Sequence, residues 1–344
     1  MKSMQMRRTL PTFIYVLLCA FGMSSGNSWA GGIMIYEAGQ EGNGLANVPS
    51  LLMSNPAGIT QLSGTQISAN AQVILGSLSF SRDSSYRFYG NEGGNALQWL
   101  PGTSLLISHQ INESSAVGFG MYGNFGLALD YDDWAGRYFS QEAAVIGVSF
   151  QPTIAHQFTD QLSVGIGPRI IYGYYRPEMA INNNLFGLLD RPAGQLEYKD
   201  TDVGTGVNLG LLYKFNERTQ IGLAYTSKVK LEFKDSPKVR NISNPIIDGA
   251  LRRLDVDSLE LDMNVPQTVL RSVAHQLDPQ WKLLGSLGWQ DWSDFGEIGV
   301  EVDSNSGGVG RTVNRKYKDT WHASVGAQYQ ATSKLRWNMG AGLR

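Results

Sequence analysis

An all-β fold, a transmembrane antiparallel β-barrel with a small N-terminal helical hatch plugging its lumen, is what three features of this sequence predict. Long segments alternate apolar and polar residues with period two, aromatic residues stand at both ends of those segments, and short polar turns take turns with long polar loops. Composition agrees. The 344 residues include 40 Gly, 15 Tyr, 13 Phe and 8 Trp but only 17% charged residues, too polar for a helical membrane protein and aromatic-rich for a soluble one. A mean hydropathy of -0.19 does not argue against lipid. A barrel strand averages its lipid-facing and lumen-facing side chains to near neutrality.

Residues 1–30 read as a secretory signal peptide: Lys2, Arg7 and Arg8 form a basic start, residues 13–23 an apolar core, and Ser28 and Ala30 place small residues before a cut ahead of Gly31. The apolar run is shorter than the roughly 18 residues a transmembrane helix needs. A lipoprotein site at Cys19 would want a small residue where Leu18 stands. Cleavage removes three basic and no acidic residues, leaving 25 Lys+Arg against 30 Asp+Glu, a mature net charge of -5. Nothing there suits a nucleic acid. It also removes the only cysteine, so no disulfide framework or thiolate metal site is expected, and no cofactor.

Residues 31–63 do not alternate. They hold a short apolar run at 48–53 and then Ser54-Asn55-Pro56-Ala57-Gly58, which suits short helices and turns, a hatch ahead of the barrel.

From residue 64 to 344 the alternation is strict. Over residues 162–174 one face carries Leu162, Val164, Ile166, Ile170, Tyr172 and Tyr174, and the other Ser163, Gly165, Gly167, Arg169 and Gly173. Residues 221–233 read as one more strand, with Ile221, Leu223, Tyr225, Val229, Leu231 and Phe233 outward. Trp281 to Trp289 and Trp321 to Tyr329 repeat one spacing of eight residues. A strand tilted by about 40° climbs roughly 2.5 Å per residue, so that spacing spans about 20 Å, close to the height of an outer-membrane apolar band. Polar turns near residues 109–115, 157–161, 215–219, 277–280 and 330–334 read as periplasmic, and the longer stretches near 81–95, 130–140, 177–198, 235–258 and 303–312 as outer loops. The count is about eleven strands. Bacterial single-chain barrels have even numbers, so the expectation is a barrel lacking its last strands, or a miscount.

Motifs along the chain carry a resemblance. Glu41-Gly-Asn-Gly-Leu-Ala46 followed by Asn55-Pro56-Ala57, then Gly123-Asn124-Phe125-Gly126-Leu127-Ala128, Tyr225-Thr-Ser-Lys-Val-Lys-Leu-Glu-Phe233, Leu277-Asp-Pro-Gln-Trp281 and Tyr317-Lys318-Asp319, in that order, resemble the FadL-type outer-membrane transporters of long-chain fatty acids and aromatic hydrocarbons. The resemblance covers most of the mature chain. It implies a Gram-negative outer-membrane location, a fourteen-stranded barrel and a hatch inside it. It also implies a kink at Gly123, Asn124, Phe125 and Gly126 of the third strand that opens sideways to the membrane and is filled by the turn Asn55-Pro56-Ala57. Lys318 matches the family's Lys-Asp motif, where a lumen lysine sits near the ligand's polar end. The family's second cation, on its fifth strand, has no alignable counterpart, although Arg169 and Arg176 stand nearby.

Counting by parity from Trp321, Lys316, Lys318 and His322 face the lumen. The outer loop at 177–198 carries Leu185, Phe186, Leu188 and Leu189, a candidate capture site for an apolar ligand or simply loop packing. Enzyme motifs are missing. Gly118-Phe-Gly120-Met-Tyr-Gly123 has a dinucleotide-binding spacing but lies within an alternating strand, and the four histidines are scattered. The expected function is uptake of hydrophobic molecules, foremost long-chain fatty acids, by lumen binding and lateral release. A hydrocarbon carrier is the alternative, and a general porin or barrel enzyme the reading of another class. The expected partners are a hydrophobic small molecule and the outer-membrane lipid, with the chain a monomer.

Overall fold

The computed structural model describes residues 51–82, 90–131, 133–184, 192–254, 256–304 and 308–343. The signal segment, the first part of the hatch including Glu41 to Ala46, and Phe186 and Leu188 lie outside the described residues.

Eleven strands, each antiparallel to the next, form the main path of one large sheet among the described residues. They are β1 (Thr65–Ile74), β2 (Leu100–Gln110), β3 (Ser115–Asp130), β4 (Glu142–Gln157), β5 (Leu162–Ile181), β7 (Asp200–Lys214), β8 (Thr219–Thr226), β12 (Thr268–Gln276), β13 (Trp281–Gln290), β16 (Thr320–Gln330) and β17 (Arg336–Leu343). Two short strands, β6 (Gly194–Glu197) and β10 (Lys238–Arg240), extend this sheet beside the far end of β5. β1 and β17 are each paired on one side only, so the described sheet is open. All five short turns fall where the polar punctuation of the sequence puts them.

The two faces follow the alternation. Val164, Ile166, Ile170 and Tyr172 of β5 are exposed on the outer face, while Ser163, Gly165, Gly167 and Arg169 are buried on the inner one. Aromatic side chains mark two levels of the wall. Trp281 stands opposite Tyr329, and Tyr329 opposite Trp337, at the short-turn end; Trp289 stands opposite Trp321 nearer the long loops. These are the two interface levels that amphipathic rings favour.

One run behaves differently from its pattern. Residues 221–233 are not a single outward-facing strand: β8 ends at Thr226, and after Ser227 and Lys228 the chain turns inward as β9 (Val229–Asp235). β9 belongs to a second sheet of four strands, in the order β15 (Val309–Asn314), β14 (Glu297–Ser304), β11 (Val256–Val265), β9. Val229, Leu231 and Phe233 therefore meet no lipid. They pack with Ile171, Leu261, Val265, Trp292 and Val300 in the largest apolar core of the molecule, against the inner face of the wall. The approach is close enough to require glycine, because a β carbon at Gly204 of β7 would sit 2.5 Å from the Lys230 carbonyl oxygen. Period two fixes which side chains share a face but not what that face meets.

The opposite face of the second sheet is charged. Lys234 reaches Glu260 at 3.0 Å and Asp303 at 3.5 Å, and Lys230 reaches Asp262 at 2.9 Å. Hydrogen bonds donated by its ammonium to Glu232 and Asp262 hold Lys230 above the ordinary lysine range. A branched side chain at position 204 should push β9 away from β7. Gly204→Leu is expected to cost about 1–3 kcal/mol, seen as a lower denaturant midpoint, with faster amide exchange in β9 and β11 and an unchanged β5–β7 ladder.

Candidate functional site

The hatch begins with the helical turn Leu51–Ser54 and continues as the 3-10 turn Pro56–Gln61. Asn55 joins the two. Its Oδ1 accepts from the Ala57 amide at 3.1 Å, capping the second turn, and its Nδ2 donates to the Leu211 carbonyl of β7 at 3.0 Å. The wall reaches back: Gln151 Nε2 donates to the Leu52 carbonyl and Asn208 Nδ2 to the Met53 carbonyl, each at 2.7 Å. Gln61 Nε2 donates to Gln220 Oε1 at 2.7 Å. Apolar contacts complete the seat, Leu51 with Leu212, Ala274 and Leu284, and Leu52 with Ala116 and Ala155. The hatch thus lies on the inner face at the short-turn end.

This seat differs from the one expected for Asn55, Pro56 and Ala57. A β carbon at Gly165 of β5 or Gly210 of β7 would run into Pro56 and the Ala57 amide, so the turn rests on β5 and β7. Leu52 and Ile59 lie against β3, where a β carbon at Gly118 would come within 2.5 Å of Leu52 and 3.5 Å of Ile59. The physical reason is room, since paired glycines on neighbouring strands admit a backbone where β3 admits a side chain.

β3 is irregular at the four residues singled out in sequence. Its register against β4 shifts between Gly123, opposite Val148, and Phe125, opposite Gly147, so Asn124 is the extra residue of a bulge. The bulge reverses the alternation. Tyr122 and Asn124 are buried on the inner face, and so is Phe125, which would otherwise point to lipid. Asn124 Nδ2 donates to Ser149 Oγ at 3.0 Å, and its Oδ1 has no partner. On the other side of β3 the ladder with β2 runs from Gln110 opposite Ala116 to Ser104 opposite Tyr122 and stops. The next bridge is Leu97 to Leu129. Both ends keep one register, so residues 99–103 and 123–127 face each other across an interrupted seam. Beyond it Tyr131 stacks on Trp134, ring centroids 4.2 Å apart, and packs with Ala96, Phe80 and Leu129.

Lys318 and His322 separate. His322 lies on β16 opposite Gly288, turned to the inner face. Lys318 is exposed in the connection between β15 and β16, and parity counted from Trp321 does not carry that far, because β16 begins only at Thr320. In the Lys-Asp pair it is Asp319 that is tied down, accepting from Trp289 Nε1 at 3.2 Å and from the Ser293 amide at 3.1 Å.

What motif reasoning passed over is a polar layer between the hatch and the apolar core. Tyr122 donates to Gln151 Oε1 at 2.8 Å, Thr226 Oγ1 donates to Asn208 Oδ1 at 3.3 Å, and Arg169 Nη2 donates to the Ser227 carbonyl at 3.0 Å. Arg169 stands on the polar face of β5 by alternation, close to where the resemblance puts a second cation. Among the described residues no cluster of three or more His, Cys, Asp or Glu could hold a metal ion.

The family model described as outer membrane protein transport protein (OMPP1/FadL/TodX) matches residues 22–344. The chain belongs to this family. Outer membrane protein P1 of Haemophilus influenzae is 24% identical, with 94% of this chain and 79% of that protein covered. The long-chain fatty acid transport protein of Escherichia coli is 24% identical, with 91% and 78% covered. Among solved structures, a Pseudomonas aeruginosa FadL homologue superposes with a TM-score of 0.73 at 18% identity, covering 90% of this chain and 80% of that one. The Pseudomonas putida toluene transporter TodX gives 0.59 at 18% identity, covering 85% and 78%. This FadL/TodX-family chain is therefore an outer-membrane β-barrel transport protein for hydrophobic molecules, in a family of transporters rather than enzymes.

Asn55 is the single side chain that both caps the hatch and ties it to the wall. Asn55→Ala should destabilise the hatch by about 1–3 kcal/mol, measured as earlier protease cleavage within residues 51–62 while the folded, heat-modifiable form of the protein persists.

Proposed function

We propose that this chain imports long-chain fatty acids, binding them in the lumen above the hatch and releasing them sideways into the bilayer through the seam between β2 and β3. The observation that carries this reading is the interrupted ladder between Ser104 opposite Tyr122 and the Leu97–Leu129 bridge, flanked by the bulge at Asn124. In lipid an unpaired stretch of wall is tolerated only where it lines a cavity or a passage. The hatch below the seam blocks a straight path to the periplasm. A ligand gains about 0.8 kcal/mol for each CH₂ kept out of water, so a sideways exit from lumen to lipid avoids the aqueous compartment for the whole tail.

The other parts follow from the same reading. Residues 1–30 are a signal peptide, 31–63 the hatch and 64–344 the barrel; the chain acts as a monomer, and the surrounding lipid receives the cargo. Phe186 and Leu188 belong to the surface capture region. Lys318 and His322, one cation and one titratable ring near the start of β16, favour a carboxylate over a hydrocarbon at the outer side of the lumen. Relatives named as long-chain fatty acid transport proteins support the choice of cargo.

Filling the seam should stop transport without stopping assembly. Gly126→Trp, shown folded at the cell surface, is expected to reduce uptake of labelled oleate at least tenfold, whereas Lys318→Ala is expected to reduce oleate uptake and leave toluene uptake unchanged. Normal oleate uptake by the Gly126→Trp protein would remove the lateral route, and equal oleate uptake by wild type and Lys318→Ala would remove the head-group role of that lysine.

A further inference from the structure

Three of the four histidines, far apart in the chain, come to one level of the wall. Each is the last residue but one of its strand and begins the same kind of tripeptide: His109-Gln110-Ile111 at the end of β2, His156-Gln157-Phe158 at the end of β4 and His275-Gln276-Leu277 at the end of β12. The structure treats the three alike. His109 stands opposite Thr65, His156 opposite Ser115 and His275 opposite Thr219, and each ring shares a hydrogen bond through Nδ1 with the hydroxyl across from it, at 2.8, 3.0 and 2.9 Å. The glutamine amide closes the last rung, donating to the carbonyl of Gly64, Ser114 or Arg218. The residues before the histidines, Ser108, Ala155 and Ala274, are buried on the inner face, so the rings point outward to the lipid side.

This level has five equivalent places, one on every second seam of the sheet. Two of them hold tyrosine, Tyr213 opposite Leu162 and Tyr329 opposite Trp281. An amphipathic ring is all that a membrane interface asks for there. Histidine beside a hydroxyl adds something else. Nδ1 is taken, Nε2 has no partner among the described residues, and an imidazolium donates from both nitrogens. Each exposed ring thus has one N–H left for a molecule lying against the outer face. Two residues on, Ile111, Phe158 and Leu277 are exposed and give that molecule an apolar contact, and the Phe158 ring meets His156 edge-on with centroids 4.7 Å apart.

The turn that follows brings the opposite charge. Glu113, Asp160 and Asp278 lie within the three short turns just past the histidines, and all are exposed. Glu113 and Asp160 stand in no ion pair among the described residues, and Asp278 accepts through Oδ1 from the amides of Gln280 and Trp281. Along each strand end the order is therefore imidazole on the wall, carboxylate further out toward water. A phosphoethanolamine headgroup carries the complementary order, with its phosphate next to the glycerol and its ammonium beyond. A purely anionic headgroup would set like charge against the carboxylate, and a phosphocholine has no N–H to give it.

We propose that His109, His156 and His275, each with the carboxylate of its turn, are three sites for phosphatidylethanolamine on the outside of the wall at its periplasmic end, which the short turns mark. The phosphate accepts from Nε2–H and the ammonium donates to the carboxylate. These sites lie outside the lumen, so they do not depend on which cargo the barrel carries.

The test is native mass spectrometry of the full chain released from micelles that contain equal amounts of phosphatidylethanolamine, phosphatidylcholine and phosphatidylglycerol with identical acyl chains. Wild type is expected to retain up to three phosphatidylethanolamines, favoured about tenfold over either other lipid. His156→Phe, which keeps a ring at the interface, is expected to lower that number by one. Combining His109→Phe, His156→Phe and His275→Phe is expected to abolish the preference while the heat-modifiable fold persists. Combining Glu113→Gln, Asp160→Asn and Asp278→Asn is expected to let the other two lipids compete equally. Equal retention of the three lipids by wild type overturns the proposal, and so does a preference for phosphatidylethanolamine that survives the triple histidine change. A preference of wild type for phosphatidylglycerol also overturns it, by showing a cation with no partner for an ammonium. Should the triple histidine protein fail to fold, His156→Phe and the carboxylate variant decide, and an unchanged lipid count in both overturns the sites.

Discussion

Inside lipid a backbone amide has no water to turn to, and each group left unpaired costs several kcal/mol. That constraint shapes everything else in this chain. It makes the wall an antiparallel ladder from β1 to β17, and it makes each departure from the ladder a place that needs explaining. There are few such places. At β3 the extra residue Asn124 is buried and bonded to Ser149, and the seam toward β2 closes again in the same register at Leu97 and Leu129. A seam that keeps register on both sides is a local opening rather than a frayed edge. At β8 the strand stops pairing with the wall beyond Thr226, and its continuation finds new partners in the second sheet.

The inner face is layered by the same logic. At the short-turn end the hatch presents carbonyls that lack helical partners, the wall answers them with Gln151 and Asn208, and Asn55 of the hatch donates in return to the Leu211 carbonyl of the wall. At the long-loop end the second sheet turns its apolar side to the wall and its charges away. Between the two lies the thin polar layer that includes Tyr122 and Arg169.

Much of this was legible in sequence because its causes are local. The period of two sorted Val164 and Ile166 from Ser163 and Arg169 on β5, and the polar turns located all five short connections. Trp281, Tyr329, Trp289 and Trp321 marked two levels of the wall before any pairing was known. The departure at β3 was suggested by Gly123, Asn124 and Gly126 in a strand interior. Where inference went astray, it extended a local rule past its range. Alternation was carried through Ser227 into β9, and from Trp321 back past Thr320 to Lys318 and Lys316, although in each place the chain had left the wall.

The sequence by itself determined the class of fold, the faces of the strands and the family, since alternation, turn chemistry and short motifs each act within a few residues. Tertiary structure alone decided what those faces meet. The turn at Asn55 rests on Gly165 and Gly210, residues more than a hundred positions away, because there two neighbouring strands leave room for a backbone. Val229, Leu231 and Phe233 are core rather than lipid-facing because β7 offers Gly204 beneath them. Arg169 reads in the sequence as one more lumen charge. Only the fold shows its guanidinium buried and donating to the Ser227 carbonyl on the β8–β9 link, a contact that no local pattern encodes.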